Sequence, residues 1–275
     1  MGWSADALGL LDAFASRAAL PRAVALHVPP TPPPGAQRGE FCALELEDGS
    51  LGLSYVLLGD TLATLQSARI ELRGADPLAL AHEAGADDTL RRTVAFAAVN
   101  ALARCLFDRA SFVPPKSVDS LGGIDPAPGE TVGMVGYFAP LLKRILDRGA
   151  KLTVIELRED LVRDDGTVRV TTDAAELAGL RQVLATGTLM LNDSLDRMLA
   201  HCRGAQHLAL IGPSVGAPPD PLFARGVTLL GGTWVTQPRG FVDALVRGEP
   251  TGAFAGKSAL RPADYPGWDA LLARL

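Results

Sequence analysis

Apolar positions follow a helical rhythm in some stretches of the chain and a strand rhythm in others, and the change of rhythm divides it in two. Over residues 4–19, Leu8, Leu11, Phe14, Ala15 and Ala18 return at helical spacing, and Ser4 is placed to cap the first turn. Residues 41–47 and 51–58 are strand-like runs. Asp48-Gly49 between them suits a hairpin, because both residues accept positive φ angles. Residues 89–107 are patterned as a helix with apolar groups on nearly every face (Leu90, Val94, Phe96, Val99, Leu102, Leu106), which predicts a buried helix. Asn100 lies in its middle. A buried amide needs partners, so Asn100 either stitches the core or points into a site.

Residues 111–130, rich in Pro and Gly, mark the predicted boundary between residues 1–115 and 116–275. Beyond it, strands are predicted at 131–135, 151–156, 188–191, 207–211 and 227–230. Helices are predicted at 140–148, 173–184 and 194–202, and a small hairpin at 162–170 around Asp165-Gly166. Strands alternating with helices predict an α/β protein: an open parallel sheet preceded by a smaller α+β domain.

Composition narrows the setting. The chain is 48% hydrophobic, enough to bury a core, and its 275 residues are long for one simple domain and comfortable for two. With 26 Lys+Arg against 31 Asp+Glu the net charge is −5, which argues against a nucleic-acid partner. No apolar run reaches the ~18–20 residues that span a bilayer, and the start carries Asp6 and Asp12 where a signal peptide would be basic. Cys42, Cys105 and Cys202 cannot all pair with one another and lack metal-type spacing, so a reduced, cytoplasmic setting is expected. Pro29 to Gly35 form a polyproline-type surface loop to which no function is assigned.

In open α/β sheets, ligands bind beyond the carboxyl ends of the strands where the strand order reverses. An order of 3-2-1-4-5 for the five predicted strands would set the loops after the first and fourth at that crevice. The first strand ends in Gly133-Met134-Val135-Gly136-Tyr137-Phe138, which carries only part of a dinucleotide fingerprint. Glu156 follows Gly136 by 20 residues, the offset of a ribose-binding carboxylate; the plainer reading is an exposed glutamate at a strand end. Pro140 and the absence of Lys or Arg from this loop disfavour a pyrophosphate, and with it an NAD-dependent oxidoreductase. A phosphate-free ligand such as S-adenosylmethionine or a pterin-like ring fits better. Gly212-Pro213-Ser214-Val215-Gly216 matches the G-x-S-x-G nucleophile elbow in form. However, an elbow needs a helix directly after the serine, which the proline-rich stretch Ala217-Pro218-Pro219-Asp220-Pro221 is not expected to supply, and no histidine follows it in the chain. His27, His82, His201 and His207 show no paired ligand spacing.

Four of these segments resemble the putative heavy-metal chelation family, a domain-of-unknown-function family: the run from Val132 to Pro140, the run from Gly187 to Asp196, Ile211-Gly212-Pro213-Ser214, and Gly226-Val227 with Gly231-Gly232. Ala97-Ala98-Val99-Asn100-Ala101 is similar to a helix of the family's companion N-terminal domain. The resemblance implies an enolase N-terminal-like domain, a Rossmann-like domain partly similar to methyltransferases, a site in the cleft between them, and a homodimer. It also implies work on small molecules, by condensation or hydrolysis, in making pterins, flavins or metal chelators. Carried onto this chain, it implies ligand contacts at Asn100, Gly133, Gly136, Tyr137, Phe138, Glu156, Gly212, Pro213 and Ser214, with Asn192 and Asp193 as candidate catalytic groups. Asp193 is read as either a general base or a helix N-cap. The expected function is that of an enzyme acting on a small polar metabolite, with an S-adenosylmethionine-like nucleoside or a divalent metal as candidate cofactor. The alternative is a non-catalytic protein that holds a metal or a metal chelate.

Overall fold

The computed structural model describes residues 2–33, 40–68, 70–117 and 121–275. Helix α1 (Trp3–Arg17) buries Trp3, Ala7, Leu11 and Phe14. Of the predicted stripe Leu11 and Phe14 are buried, Leu8, Ala15 and Ala18 are half-buried at its margin, and Gly2, not Ser4, takes the cap position. Strands β1 (Ala23–His27), β2 (Phe41–Leu46) and β3 (Leu51–Tyr55) form an antiparallel sheet in that order. The β2–β3 hairpin turns at Gly49 (φ +84°), and Asp48 accepts the Ser50 amide at 3.0 Å. Of the proline loop, residues 29–33 belong to no helix or strand, and the Pro29 carbonyl accepts from Gln66 at 2.8 Å; Pro34 and Gly35 lie outside the described residues.

Helices α2 (Thr61–Ala68) and α3 (Pro77–Ala81) lead to α4 (Thr89–Arg109), capped by Asp88 through the Arg91 amide at 2.9 Å. From Thr93 to Ala103 every residue of α4 is buried, as its all-round apolar pattern predicts. The alanines of this stretch let β3 lie directly on the helix backbone. The contact is so close that a Cβ at Gly52 would fall on the Ala97 carbonyl oxygen and the Ala101 nitrogen.

The second sheet holds eight strands: β4 (Thr131–Val135), β5 (Lys151–Ile155), β6 (Arg163–Asp164), β7 (Val168–Thr171), β8 (Gln182–Thr186), β9 (His207–Ile211), β10 (Leu229–Val235) and β11 (Ala255–Leu260). Their order is β11-β10-β9-β8-β4-β5-β7-β6. The two edge strands β6 and β11 run antiparallel to their neighbours, and the other pairings are parallel. Helices α5 (Ala139–Leu146), α6 (Thr188–Leu191), α7 (Leu195–His201), α8 (Asp220–Phe223), α9 (Pro238–Val246) and α10 (Trp268–Leu272) complete the chain. The predicted hairpin at 162–170 is the β6–β7 pair, with Gly166 at φ +83° and Asp165 accepting the Thr167 and Val168 amides.

Three expectations are corrected. Residues 173–184 are not a helix but a 3-10 turn (Ala174–Leu177) followed by the start of β8, and residues 188–191 are one turn of helix where a strand is expected. A short apolar run such as Val183-Leu184-Ala185 has no period that separates a buried strand from a buried helix. The strand order is also not 3-2-1-4-5. β8 lies on the far side of β4 from β5 and next to β9, so the order reverses between β4 and β8. The loop after β4, the first predicted strand, does flank the crevice, but its partner is the loop after β8 and not the one after β9, the fourth predicted strand.

The linker between the domains is paired along part of its length. Ala259 donates to the Pro115 carbonyl at 2.9 Å, and Ser117 donates to the Lys257 carbonyl at 2.9 Å, along β11. The C-terminal segment returns to the first domain. Trp268 is fully buried and donates its indole N–H to the Leu10 carbonyl at 2.9 Å.

A charged cluster ties α1 to α7. Arg225 pairs with Asp6 at 2.8 Å and with Asp196, which also accepts the Trp3 amide at 2.8 Å. Burial pushes the Asp196 carboxyl up, but the hydrogen bonds from Arg225 and Trp3 outweigh it and leave the group below its ordinary value. A depressed carboxylate stabilises the fold above its unfolded pKa and stops doing so as pH falls through its folded value. Hydrogen-exchange protection of α1 is therefore expected to weaken below about pH 4, ahead of α4. An Arg225→Met variant should show weak α1 protection at neutral pH as well. Equal protection of the two helices throughout the acid range would contradict this.

Candidate functional site

The crevice at the order reversal begins where β4 ends. The chain turns at Gly136, whose φ of +90° suits glycine alone, and its amide donates to the Ile155 carbonyl at 2.9 Å. A Cβ there would also press on Thr186 at 3.2 Å, so the ends of β4 and β8 approach closely. Glu156, half-buried at the end of β5, accepts the Tyr137 amide on Oε2 at 3.0 Å. Its Oε1 accepts the Leu157 amide at 2.8 Å and the Arg158 amide at 3.4 Å. It is thus neither an idle surface glutamate nor a saturated one. A carboxylate has about four acceptor positions, and Oε2 gives only one to the backbone.

The Tyr137 hydroxyl accepts from Arg163 at 3.1 Å, and the guanidinium lies 5.7 Å from the ring centre. Phe138 stands over the Gly136 turn and packs on the sheet core. Tyr55, at the end of β3 in the first domain, has its phenol pushed up by burial and then by the charge of Glu156, so the two domains meet electrostatically at this crevice.

The other predicted residues divide between packing and the domain seam. Gly133 sits inside β4, where a Cβ would press on Leu177 at 2.9 Å and Val183 at 3.1 Å; its smallness serves the sheet and it does not reach the crevice. Asn192 and Asp193 follow α6, not a strand. Asn192 Oδ1 accepts from the Ser194 amide at 3.2 Å and the Ser194 hydroxyl at 2.5 Å, shaping the turn into α7. Asp193 is exposed at φ +56°, a conformation that Asp tolerates better than most residues.

Asn100 is 4% exposed and spans the domain seam. Its Nδ2 donates to the Leu53 carbonyl on β3 at 2.7 Å and to the Ser214 carbonyl after β9 at 2.8 Å. Its Oδ1 is buried with no hydrogen-bond partner. The G-x-S-x-G segment owes its composition to this seam. Gly212 has φ +145°, a Cβ at Gly232 would fall on the Val215 carbonyl oxygen, and one at Gly187 would press on Val215 at 2.6 Å. Ser214 is 2% exposed and contributes its carbonyl to Asn100. Beside it the seam holds a partly open cavity of about 60 Å³, lined by Asn100, Arg104, Pro213, Thr233, Trp234 and Ser258 among others.

Among the described residues, no three His, Cys, Asp or Glu side chains come together to hold a metal ion. His27 is engaged by Glu45 at 2.7 Å, His82 by Asp12 at 2.8 Å and His207 by the Gly122 carbonyl at 2.7 Å. All three thiols are buried. Burial pushes Cys42 up to about 12, Cys202 up to about 11 and Cys105 further still, so they stay protonated and are poor metal ligands.

Sequence reasoning missed Tyr55, Thr186, Arg104, Thr233 and Ser258. Arg104 did leave a signal: it is one turn from Asn100 in a helix otherwise apolar around that point, so both residues share a face. Tyr55 and Ser258 left none, because their neighbours across the seam come from distant parts of the chain.

This arrangement defines a class: a two-domain α/β protein with a small α+β domain set against a mostly parallel, Rossmann-like sheet. The sequence profile of the DUF364 family, described as putative heavy-metal chelation, matches residues 121–263, and a second profile with the same description matches residues 39–103. The chain belongs to the putative heavy-metal chelation family. It is similar in fold to a DUF364-family protein of unknown function from Desulfitobacterium hafniense (17% identity, 93% of this chain and 98% of that one, TM-score 0.65). It is likewise similar to one from Pyrococcus horikoshii (17% identity, 92% and 98%, TM-score 0.64). No curated protein sequence matches the chain. Among the described residues no helix is long and apolar enough to cross a membrane.

Proposed function

We propose that the β4–β8 crevice binds a small polar metabolite carrying hydroxyl or N–H donors, such as S-adenosylmethionine, a related nucleoside or a pterin, and that the protein acts chemically on it. The observation that carries this reading is Glu156. Its carboxylate is pinned by backbone amides at the reversal of strand order, with acceptor capacity on Oε2 left over, 20 residues beyond the Gly136 turn. Tyr137 and Phe138 supply aromatic surface beside it, and Tyr55 of the first domain lies near enough to feel its charge. A metal ion enters this scheme as part of the metabolite, held by that molecule's own donors, because the described residues offer no ligand set.

Thermal-shift measurements against S-adenosylmethionine, S-adenosylhomocysteine, a pterin, and divalent metals with and without a small-molecule chelator test the reading. A ligand of the native state raises Tm by several degrees at about 100 times its Kd. Glu156→Gln keeps the shape but removes the charge and one acceptor oxygen, and should weaken that ligand by about 10–30-fold. No shift with any ring compound, or equal affinity in the variant, would overturn it. A shift with metal chelates alone would favour a carrier over an enzyme.

A further inference from the structure

We infer that the cavity at the domain seam is a second, separate binding site, for a small carboxylate bearing an amino or hydroxyl group on the adjacent carbon. Both N–H donors of Asn100 are spent on carbonyls from opposite sides of the seam, Leu53 and Ser214. Turning the amide over would set Oδ1 against those two carbonyl oxygens, so its orientation is determined by the backbone. Oδ1 is left buried and unpartnered, an acceptor awaiting a donor.

One helical turn on, Arg104 supplies the opposite chemistry. Asp108 holds its Nε at 2.7 Å, and its guanidinium carbon lies 3.8 Å from the centre of the Trp234 ring. That stacking holds the plane of the guanidinium while leaving the two terminal nitrogens for an acceptor such as a carboxylate. The Thr233 and Ser258 hydroxyls line the same space, and Leu51 and Leu53 give it an apolar wall. A volume of about 60 Å³ accommodates about four to six water-sized atoms. A carboxylate on Arg104 with an ammonium or hydroxyl on Oδ1 meets both needs within that size, whereas a bare carboxylate leaves Oδ1 unpaired.

Titration calorimetry of the whole protein with glycine, L-alanine and L-lactate, against acetate and propionate, tests this. The first three should bind, and acetate and propionate should bind at least about 10-fold more weakly, the cost of leaving a buried acceptor unpaired. Gly216→Ala provides the positional control. Its Cβ would rest in ordinary contact with Asn100, 3.6 Å from Oδ1, so the variant should fold like the wild type and lose the same ligands by at least about 10-fold. Arg104→Gln should remove the preference for carboxylates over the corresponding amides. Propionate binding as well as L-alanine, unchanged binding in Gly216→Ala, or no binding by any of these compounds would overturn the inference, the last leaving the cavity to water. Nucleoside binding at Glu156 is read with different ligands, so either site can fail without the other.

Discussion

Asn100→Ala is expected to destabilise the protein by about 2–4 kcal/mol, because it removes the side-chain donor from two carbonyl oxygens, Leu53 on β3 and Ser214 after β9, the second of which keeps only the Gly216 amide, and leaves a hole in the buried seam. The expected fall in Tm is roughly 5–10 °C. Asn100→Asp, nearly the same shape, should be worse at neutral pH. Its second oxygen would face both carbonyls, and the carboxyl must either carry charge in a buried place or take up a proton. Chemical denaturation of both variants checks this. If Asn100→Asp proves as stable as wild type at pH 7, the two hydrogen bonds across the seam are not what holds it. Because those bonds join the two domains, the loss should also show as faster hydrogen exchange in β3 and in the loop after β9 together.

Gly52→Ala is expected to have the larger effect of the two. The added methyl group would occupy the space of the Ala97 carbonyl oxygen and the Ala101 nitrogen, which are backbone atoms in the middle of α4 and cannot rotate aside. Only a shift of β3 away from the helix relieves the overlap. That shift would pull Leu53 off Asn100 and open the core that holds Phe96, Leu102 and Leu106. Overpacking of this kind costs about 1–3 kcal/mol where side chains can yield and more where backbone must move. The variant should express poorly or melt at least about 10 °C lower. Gly9→Ala makes the matched control: a Cβ there meets nothing, and it should be neutral or slightly stabilising in helix α1. Equal melting temperatures for the two variants would show that β3 and α4 are not packed as described.

Local pattern carried some elements a long way. Helices α1, α4, α5 and α7, strands β4, β5 and β9, and the two Asp-Gly turns are each determined by contacts a few residues apart. Their spacing in the chain is therefore visible as spacing of apolar side chains or as turn chemistry. β8 failed for the same reason inverted: five residues with three buried apolar neighbours hold too little pattern to distinguish strand from helix. The segment after Leu230 was read only as far as its glycines, although α9, β11 and α10 follow. α10 gives the first domain a fully buried Trp268 from the far end of the chain.

The candidate site divides along the same line. The sequence by itself determined the two-domain α/β plan, the family, and the one-dimensional offset from the Gly136 turn to Glu156, because one crossover helix and one strand of regular rise return the chain to the same end of the sheet after a set number of residues. Only the tertiary structure decided which strand lies beside β4, and hence that the crevice opens towards β8. Only it showed that Gly133 is packing, that G-x-S-x-G is a seam, and that Asn100 both stitches two domains and keeps one acceptor free. The physical reason is that strand order, close backbone approach and the satisfaction of a buried amide all depend on groups far apart in the chain, 47 and 114 residues in the case of Asn100. Such contacts leave no periodic trace in a single sequence.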